Sequence, residues 1–397
     1  MIRISNKIKT LLAMLSFVQV TSGCDATVQD IIIDTDPGVE IGNNDYYTWC
    51  KETLSVIDKD LKISGTHSYY ENQDRSQVSF IWGNIFLLYT YTEGISLSKS
   101  EWSDALMNCF LNFDNYWHPN YKGIAGYATL PTSAEKVPDR FYDENGWTAI
   151  GLCDAYLATQ NNSYLEKAKG ALAFSLSGED NVLGGGIYFQ ETFVSLPVQK
   201  NTICSAVTML SCMKLYEITQ DRQYLDAAIR INDWTVENLL DKSDNLLWDA
   251  KMVADGGSVN TQKWSYNAGF MIRSWLKMYQ ATKDEKYLSQ AKATLASSEA
   301  KWYNSINGAL NDPGYFAFSI IDSWFDMYDT DKNTVWLTKA FHAINFIHNK
   351  LRDGNGRYPE HWGTPTTSNL EKYDLRFSTV AAYMYMRAAN YKRILND

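Results

Sequence analysis

The chain has 397 residues, 45% of them hydrophobic and 21% charged, and a formal net charge of −10 at pH 7. The apolar share is that of a globular protein with a large core, and a repeat architecture can absorb the whole length in one domain. The acidic balance, without a dense basic patch to neutralise phosphates, excludes nucleic acid as a partner.

The first residues carry Arg3, Lys7 and Lys9, an apolar run from Leu11 to Val20, and then Thr21-Ser22-Gly23-Cys24. The run is too short to span a bilayer and reads as a secretory signal over residues 1–23. The small residues before Cys24 resemble a bacterial lipobox, so cleavage is expected there with lipid attached to the Cys24 sulfur; simple secretion with a free cysteine is the alternative. Residues 24–41 then form a tether and residues 42–397 one domain, exported and lipid-anchored to the bacterial cell envelope on its periplasmic side or at the surface. Cys50, Cys109, Cys153, Cys204 and Cys212 are odd in number and irregular in spacing, so they read as small buried apolar residues, not as a disulfide framework. His67, His118, His342, His348 and His361 show no ligand spacing, and neither a metal nor a cofactor is expected.

Helices are predicted over Asp45–Leu61, Val78–Tyr91 and Ser98–Trp117. From there an aromatic pair recurs at a spacing of eight: Tyr156 with Tyr164, Tyr216 with Tyr224, Tyr279 with Tyr287 and Tyr328 with Trp336, each second ring followed by Leu. Three residues before each second ring stands Asn161, Asp221, Asp284 or Asn333, whose side-chain oxygen can cap a new helix. Each copy is therefore a helix, a tight turn and a second helix. The first helices (Trp147–Leu157, Cys204–Ile218, Ala268–Ala281 and Phe316–Tyr328) are apolar on most sides, whereas the second, such as Tyr164–Phe174 and Tyr224–Trp234, carry charged stripes. The first are thus inner and the second outer. Leu370–Ile394 brings the count to twelve, and the predicted fold is an all-α (α/α)6 toroid of six inner and six outer helices.

Inner and outer helices run in opposite directions, so every connection entering an inner helix emerges at the same end of the ring. Those connections, residues 64–76, 118–142, 178–201, 241–262, 303–313 and 352–369, are the long ones and would rim one mouth. Into that mouth opens Phe141-Tyr142-Asp143-Glu144-Asn145-Gly146-Trp147, two adjacent carboxylates among aromatic rings. Paired carboxylates suit glycosidic cleavage, and the 26 Tyr, 16 Phe and 13 Trp of the chain suit a sugar groove. The same pair also suits an acidic helix start. Asp312 and Asp374 fall at the same mouth and stand outside the catalytic assignment.

Two more stretches precede inner helices: Gly184-Gly185-Gly186-Ile187-Tyr188-Phe189 with Lys200-Asn201, and Trp264-Ser265-Tyr266-Asn267-Ala268-Gly269. With the first motif they make residues from Phe141 to about Ala281 resemble glycoside hydrolase family 76, the endo-α-1,6-mannanases that cut the backbone of fungal mannan. The resemblance implies a retaining hydrolase of α-mannan-type polysaccharide or oligosaccharide, with Asp143 as nucleophile and Glu144 as general acid/base. Substrate contacts are then expected from Tyr142, Trp147, Gly185, Gly186, Tyr188, Asn201, Trp264, Tyr266 and Asn267. For the glycines a simple turn is the other reading, for the two Asn helix capping, and for the two Trp packing against the barrel wall. The chain departs from the family in having Glu144 where the pair is usually Asp-Asp, and Tyr188-Phe189 where two Trp are common. These departures leave a second reading open, a catalytically impaired glycan-binding surface lipoprotein on the same toroid.

Overall fold

Each aromatic repeat folds as the antiparallel helix pair its capping residues call for. Asn161, Asp221 and Asp284 accept from the amides of Ser163, Gln223 and Lys286, and Asn333 accepts from Val335 at 3.1 Å. The turn before each cap is also repeated: Gln160, Gln220, Lys283 and Lys332 all adopt the left-handed conformation, each donating its amide to the carbonyl of the repeat tyrosine four residues earlier. The left-handed residue closes the inner helix and the Asn or Asp opens the outer one.

The computed structural model describes residues 44–132, 138–192 and 197–396. Residues 1–23, Cys24 and the tether over 24–41, for which export, lipidation and anchoring are expected, lie outside the described residues. Among those described there are twelve α-helices: α1 (Asp45–Leu61), α2 (Ile81–Leu97), α3 (Lys99–Phe113), α4 (Tyr142–Thr159), α5 (Asn162–Ser177), α6 (Thr202–Thr219), α7 (Arg222–Leu239), α8 (Ser265–Thr282), α9 (Glu285–Trp302), α10 (Gly314–Asp331), α11 (Val335–Phe346) and α12 (Leu375–Asn396). The even-numbered helices form the inner ring, each packing on the next, with α12 closing back onto α2 and α1 lying outside α12. The fold is the (α/α)6 toroid.

Burial separates the two rings. Nearly every residue of α6 and α8 is buried, whereas α7 and α9 bury one stripe. The axis is filled by rings: Trp147 lies edge-on to Trp82 and Phe86, and also meets Phe270 and Phe318. Cys50, Cys109, Cys153, Cys204 and Cys212 are all buried and unbridged, as their spacing implies.

Several helix boundaries shift, among them the end of α2, at Leu97 and not Tyr91, the start of α4, at Tyr142 and not Trp147, and the start of α12, at Leu375 and not Leu370. The expected helix start at Val78 falls at Ile81, because Val78 instead forms a bridge with Tyr70 inside the preceding loop. The expected helix to Trp117 stops at Phe113, because Trp117 opens a hairpin of β1 (Trp117–Tyr121) and β2 (Ile124–Tyr127). The other short strands also lie in connections that enter inner helices: β3 (Gln199–Asn201), β4 (Leu240–Asp241), β5 (Leu246–Leu247), β6 (Ala250–Met252) and β7 (Val259–Asn260), with β3, β6 and β7 in one antiparallel sheet. They stiffen the mouth, and Tyr127, Leu240, Leu246 and Leu247 pack their side chains into the core beneath it.

Candidate active site

The first turn of α4 is held by the residue after the acidic pair. Asn145, fully buried, accepts from the Tyr127 amide at 2.8 Å and donates to the Tyr127 and Phe141 carbonyls at 2.9 Å each, tying the helix start to β2. Gly146 follows because a Cβ there would stand 2.5 Å from Val207 Cγ2, so only glycine lets α4 approach α6 this closely. Backbone and neighbours thus fix where Asp143 and Glu144 begin.

Asp143 and Glu144 are both half-buried at the residue level. Asp143 Oδ1 accepts from the Glu144 amide at 2.8 Å, and Glu144 Oε1 accepts from the Thr129 hydroxyl at 3.0 Å. The second oxygen of Glu144 is buried without a partner. Burial pushes the Asp143 carboxyl up to about 7, opposed by its bond to the Glu144 amide. Burial pushes Glu144 well above the usual carboxylate range, helped by the adjacent charge of Asp143 and by Asp139 and Glu71, and opposed by Thr129. Both carboxyls are thus pushed toward the protonated form by burial, and for Glu144 the charge of its neighbour adds to the effect.

Other sequence candidates fall into three groups. Tyr266, Asn267 and Asn201 stand at the starts of inner helices at the same mouth: the Tyr266 phenol is raised well above 10 by burial and then by Asp249 and Asp143, and the Asn267 side chain faces Asp249 at 3.5 Å. Asn201 and Asn267 each keep a buried side-chain oxygen without a partner, and neither caps its helix by side chain. Trp264 and Tyr188 are half-buried rim residues, Trp264 with its ring 5.5 Å from Phe316 and Tyr188 with its hydroxyl 3.0 Å from Asp180 Oδ2.

The third group is corrected. Trp147 is only 2% exposed and sits within the ring cluster on the axis, so it forms the floor and offers no face to a sugar. Tyr142 is stacked on Phe174 at 4.9 Å and is wall, not platform. Gly185 and Gly186 pack against Trp234, which by itself accounts for their being glycine. Both have positive φ, and a Cβ on Gly186 would come within 2.6 Å of three ring atoms of Trp234. The Trp234 indole in turn donates to the Leu183 carbonyl at 2.9 Å.

Two carboxylates at the mouth escaped sequence reasoning. Asp249 follows β5, and its oxygens face the amides of Asn260 at 3.0 Å and Asn267 at 3.5 Å; burial raises it to about 6. Glu71 accepts from the Phe80 amide at 2.9 Å, and burial raises it to about 7. Each lies in a long connection entering an inner helix, which was the available signal; what singled them out was burial, which the sequence does not display. Lys200 was read only as a motif member. Its ammonium, fully buried, donates to Asp180 Oδ1 at 2.6 Å and to the Val182 and Gly185 carbonyls at 2.8 and 2.7 Å, knotting the glycine-rich loop beside α4.

A cavity of about 380 Å³ lies at the other end of the ring, away from this chemistry. It is lined by charges from the C-terminal halves of all six inner helices, among them Glu93, Asp154, Lys214, Arg273, Asp326 and Arg387. These neutralise one another: Lys214 pairs with Asp154, Arg273 with Asp322 and Asp326 at 2.8 Å, and Arg387 with Glu93, Asp322 and Asp326 at 2.7–2.9 Å. Its groups are spent on each other, and it is structural.

Comparison with known proteins agrees with the geometry. Residues 81–317 match the family model described as glycosyl hydrolase family 76. The meiotically up-regulated gene 191 protein of Schizosaccharomyces pombe is 25% identical over 249 residues, covering 56% of this chain and 53% of that protein. The chain thus spans about half the length of this curated relative. Among solved structures, a family 76 mannosidase of Bacteroides thetaiotaomicron superposes with a TM-score of 0.78 at 21% identity, covering 88% of this chain and all of that one. An inactive variant of an α-1,6-mannanase of Salegentibacter sp. HEL1_6, with two adjacent aspartates replaced by asparagine and α-1,6-mannotriose bound, gives 0.71 at 18% identity, covering 87% and 99%. At these identities the structural likeness carries the fold.

Proposed function

The chain belongs to glycosyl hydrolase family 76, and from that premise we propose that it is a retaining α-1,6-mannanase acting on α-mannan-type polysaccharide or oligosaccharide. The observation that carries this reading is the pair at the start of α4, two adjacent carboxylates at the mouth, Asp143 bonded to the Glu144 amide and Glu144 to the Thr129 hydroxyl. A retaining cleavage requires Asp143 ionised and Glu144 protonated, and burial together with the adjacent charge of Asp143 pushes Glu144 toward its protonated form. Asp143 Oδ attacks the anomeric carbon as the glycosidic C–O bond breaks, and Glu144 gives its proton to the leaving oxygen. Water, losing a proton to Glu144, then displaces Asp143 from the glycosyl ester and restores both groups. Tyr266, Asn267, Asn201 and Asp249 are the hydroxyl-binding groups of this reading, and Trp264 its aromatic rim.

The similar structures, a mannosidase and an inactive variant of an α-1,6-mannanase, support the substrate class. The basic, then apolar, then small-residue order before Cys24 supports export and lipid anchoring at the bacterial envelope. Incubating residues from about 25 onward with linear α-1,6-mannan and resolving products by size tests the proposal. A ladder of oligosaccharides, lowered at least ~10³-fold by Asp143→Ala, is expected. Mannan binding without cleavage, indifferent to Asp143→Asn, would replace this reading with the impaired glycan-binding lipoprotein.

A further inference from the structure

Glu144 stands where the resemblance to family 76 leads one to expect aspartate, and its extra methylene carries the carboxyl more than ~1 Å further from the backbone, a displacement large enough to matter to catalysis. Something must fix that longer arm. Thr129 Oγ1 donates to Glu144 Oε1 at 3.0 Å, while Glu144 Oε2 has no partner. Thr129 itself is held by its backbone: its amide donates to the Asp139 carbonyl at 3.1 Å, and its carbonyl accepts from the Ile81 amide at 2.9 Å, at the start of α2. The hydroxyl is thus presented from a clamped position between two inner-helix starts.

We propose that Thr129 is a positioning residue for Glu144, compensating the exchange of aspartate for glutamate by anchoring one carboxyl oxygen so that the other is set for proton transfer. The charged groups acting on Glu144 are Asp143 on α4, Asp139 in the connection before α4 and Glu71 in the connection before α2, all carboxylates; Thr129 is the neighbour that favours the ionised form. Of the guanidiniums on connections and helix starts at this mouth, Arg140 pairs with Glu191 at 2.7 Å and Arg376 with Asp374 at 3.4 Å. The bond therefore does two things: it limits where the carboxyl can be, and it keeps the proton from being held too tightly to leave.

The kinetic consequence rests on the hydrolase reading, but the bond can be tested without it. Thr129→Val is nearly isosteric and keeps both backbone bonds, and Thr129→Ser keeps the hydroxyl. In the full domain labelled with ¹³C at glutamate carboxyls, with the Glu144 resonance identified by its loss in Glu144→Gln, Thr129→Val is expected to raise the Glu144 titration by ~1 pH unit and Thr129→Ser to leave it near wild type. On linear α-1,6-mannooligosaccharides the basic limb of kcat/KM should move up by the same amount. In a Glu144→Asp background Thr129→Val should change nothing, since the shorter side chain does not reach the hydroxyl. A folded Thr129→Val, or Thr129→Ala should valine not be accommodated, with an unchanged Glu144 titration overturns the proposal. So does an equal shift in Thr129→Ser. A wild type that cleaves no mannan sinks the hydrolase reading while the titration still decides the role of Thr129.

Discussion

Asp143 illustrates how a buried carboxyl opposes the stability of its own fold. Its pKa is about 7 in the native state against 3.8 when unfolded, because burial disfavours the charged form. The native state binds the extra proton between those values, so stability is lost as pH rises through the folded pKa, and the penalty is fully present above about pH 7. Replacing Asp143 by Asn removes the charge and keeps the shape. Thermal melts should show Asp143→Asn raising Tm at pH 8, by about 2–4 °C for each kcal/mol relieved, and leaving it nearly unchanged at pH 4. A Tm that falls at pH 8 would mean the carboxylate is stabilised by its surroundings and would contradict the burial argument. The acid limb of hydrolysis should lie near pH 7, where Asp143 ionises.

The glycine-rich segment shows an element whose composition has a packing cause. Gly185 and Gly186 have φ of 139° and 80°, and the ring of Trp234 on α7 covers the side where their Cβ atoms would stand. Lys200 ties the same loop from beneath, and the Tyr142 amide donates to Phe189 at 3.1 Å, so the segment is part of the support of α4. Gly186→Ala combines positive-φ strain with overlap against an aromatic ring. In urea titrations it should destabilise the domain by about 2–4 kcal/mol. A loss below ~0.5 kcal/mol would return these glycines to a role in approaching the ligand.

At the scale of the ring, one end is open and chemical while the other is closed by charge. Every inner helix contributes to the closed end: Glu93 from α2, Asp154 from α4, Lys214 from α6, Arg273 from α8, Asp322 and Asp326 from α10, and Arg387 from α12. Arg387 joins α12 to α2 and α10 and so spans the seam where the chain's last inner helix meets its first. Removing one partner from such a network leaves its neighbours charged and buried, at a cost of roughly 3–5 kcal/mol. Arg387→Met should therefore lower stability by about that amount, read by denaturant unfolding, while hydrolysis per folded molecule stays at the wild-type level. Lost turnover in a folded Arg387→Met would show that the two ends are coupled.

The repeat spacing, the capping Asn and Asp residues and the contrast between apolar and striped helices depend on local sequence, because helix starts, stops and faces are set within a few residues. They sufficed for twelve helices, their inner and outer ranks, the (α/α)6 ring and the placing of Asp143 and Glu144 at its mouth. They did not distinguish Trp147 as floor from Trp264 as rim, nor reveal that Gly186 accommodates Trp234, a residue distant in the chain. Asp249, Glu71 and the Thr129 bond to Glu144 likewise arise where separate connections meet. Burial and partnership are properties of several segments at once, so only the closed ring decided which carboxyls are raised, which rings are buried and what holds Glu144 in place.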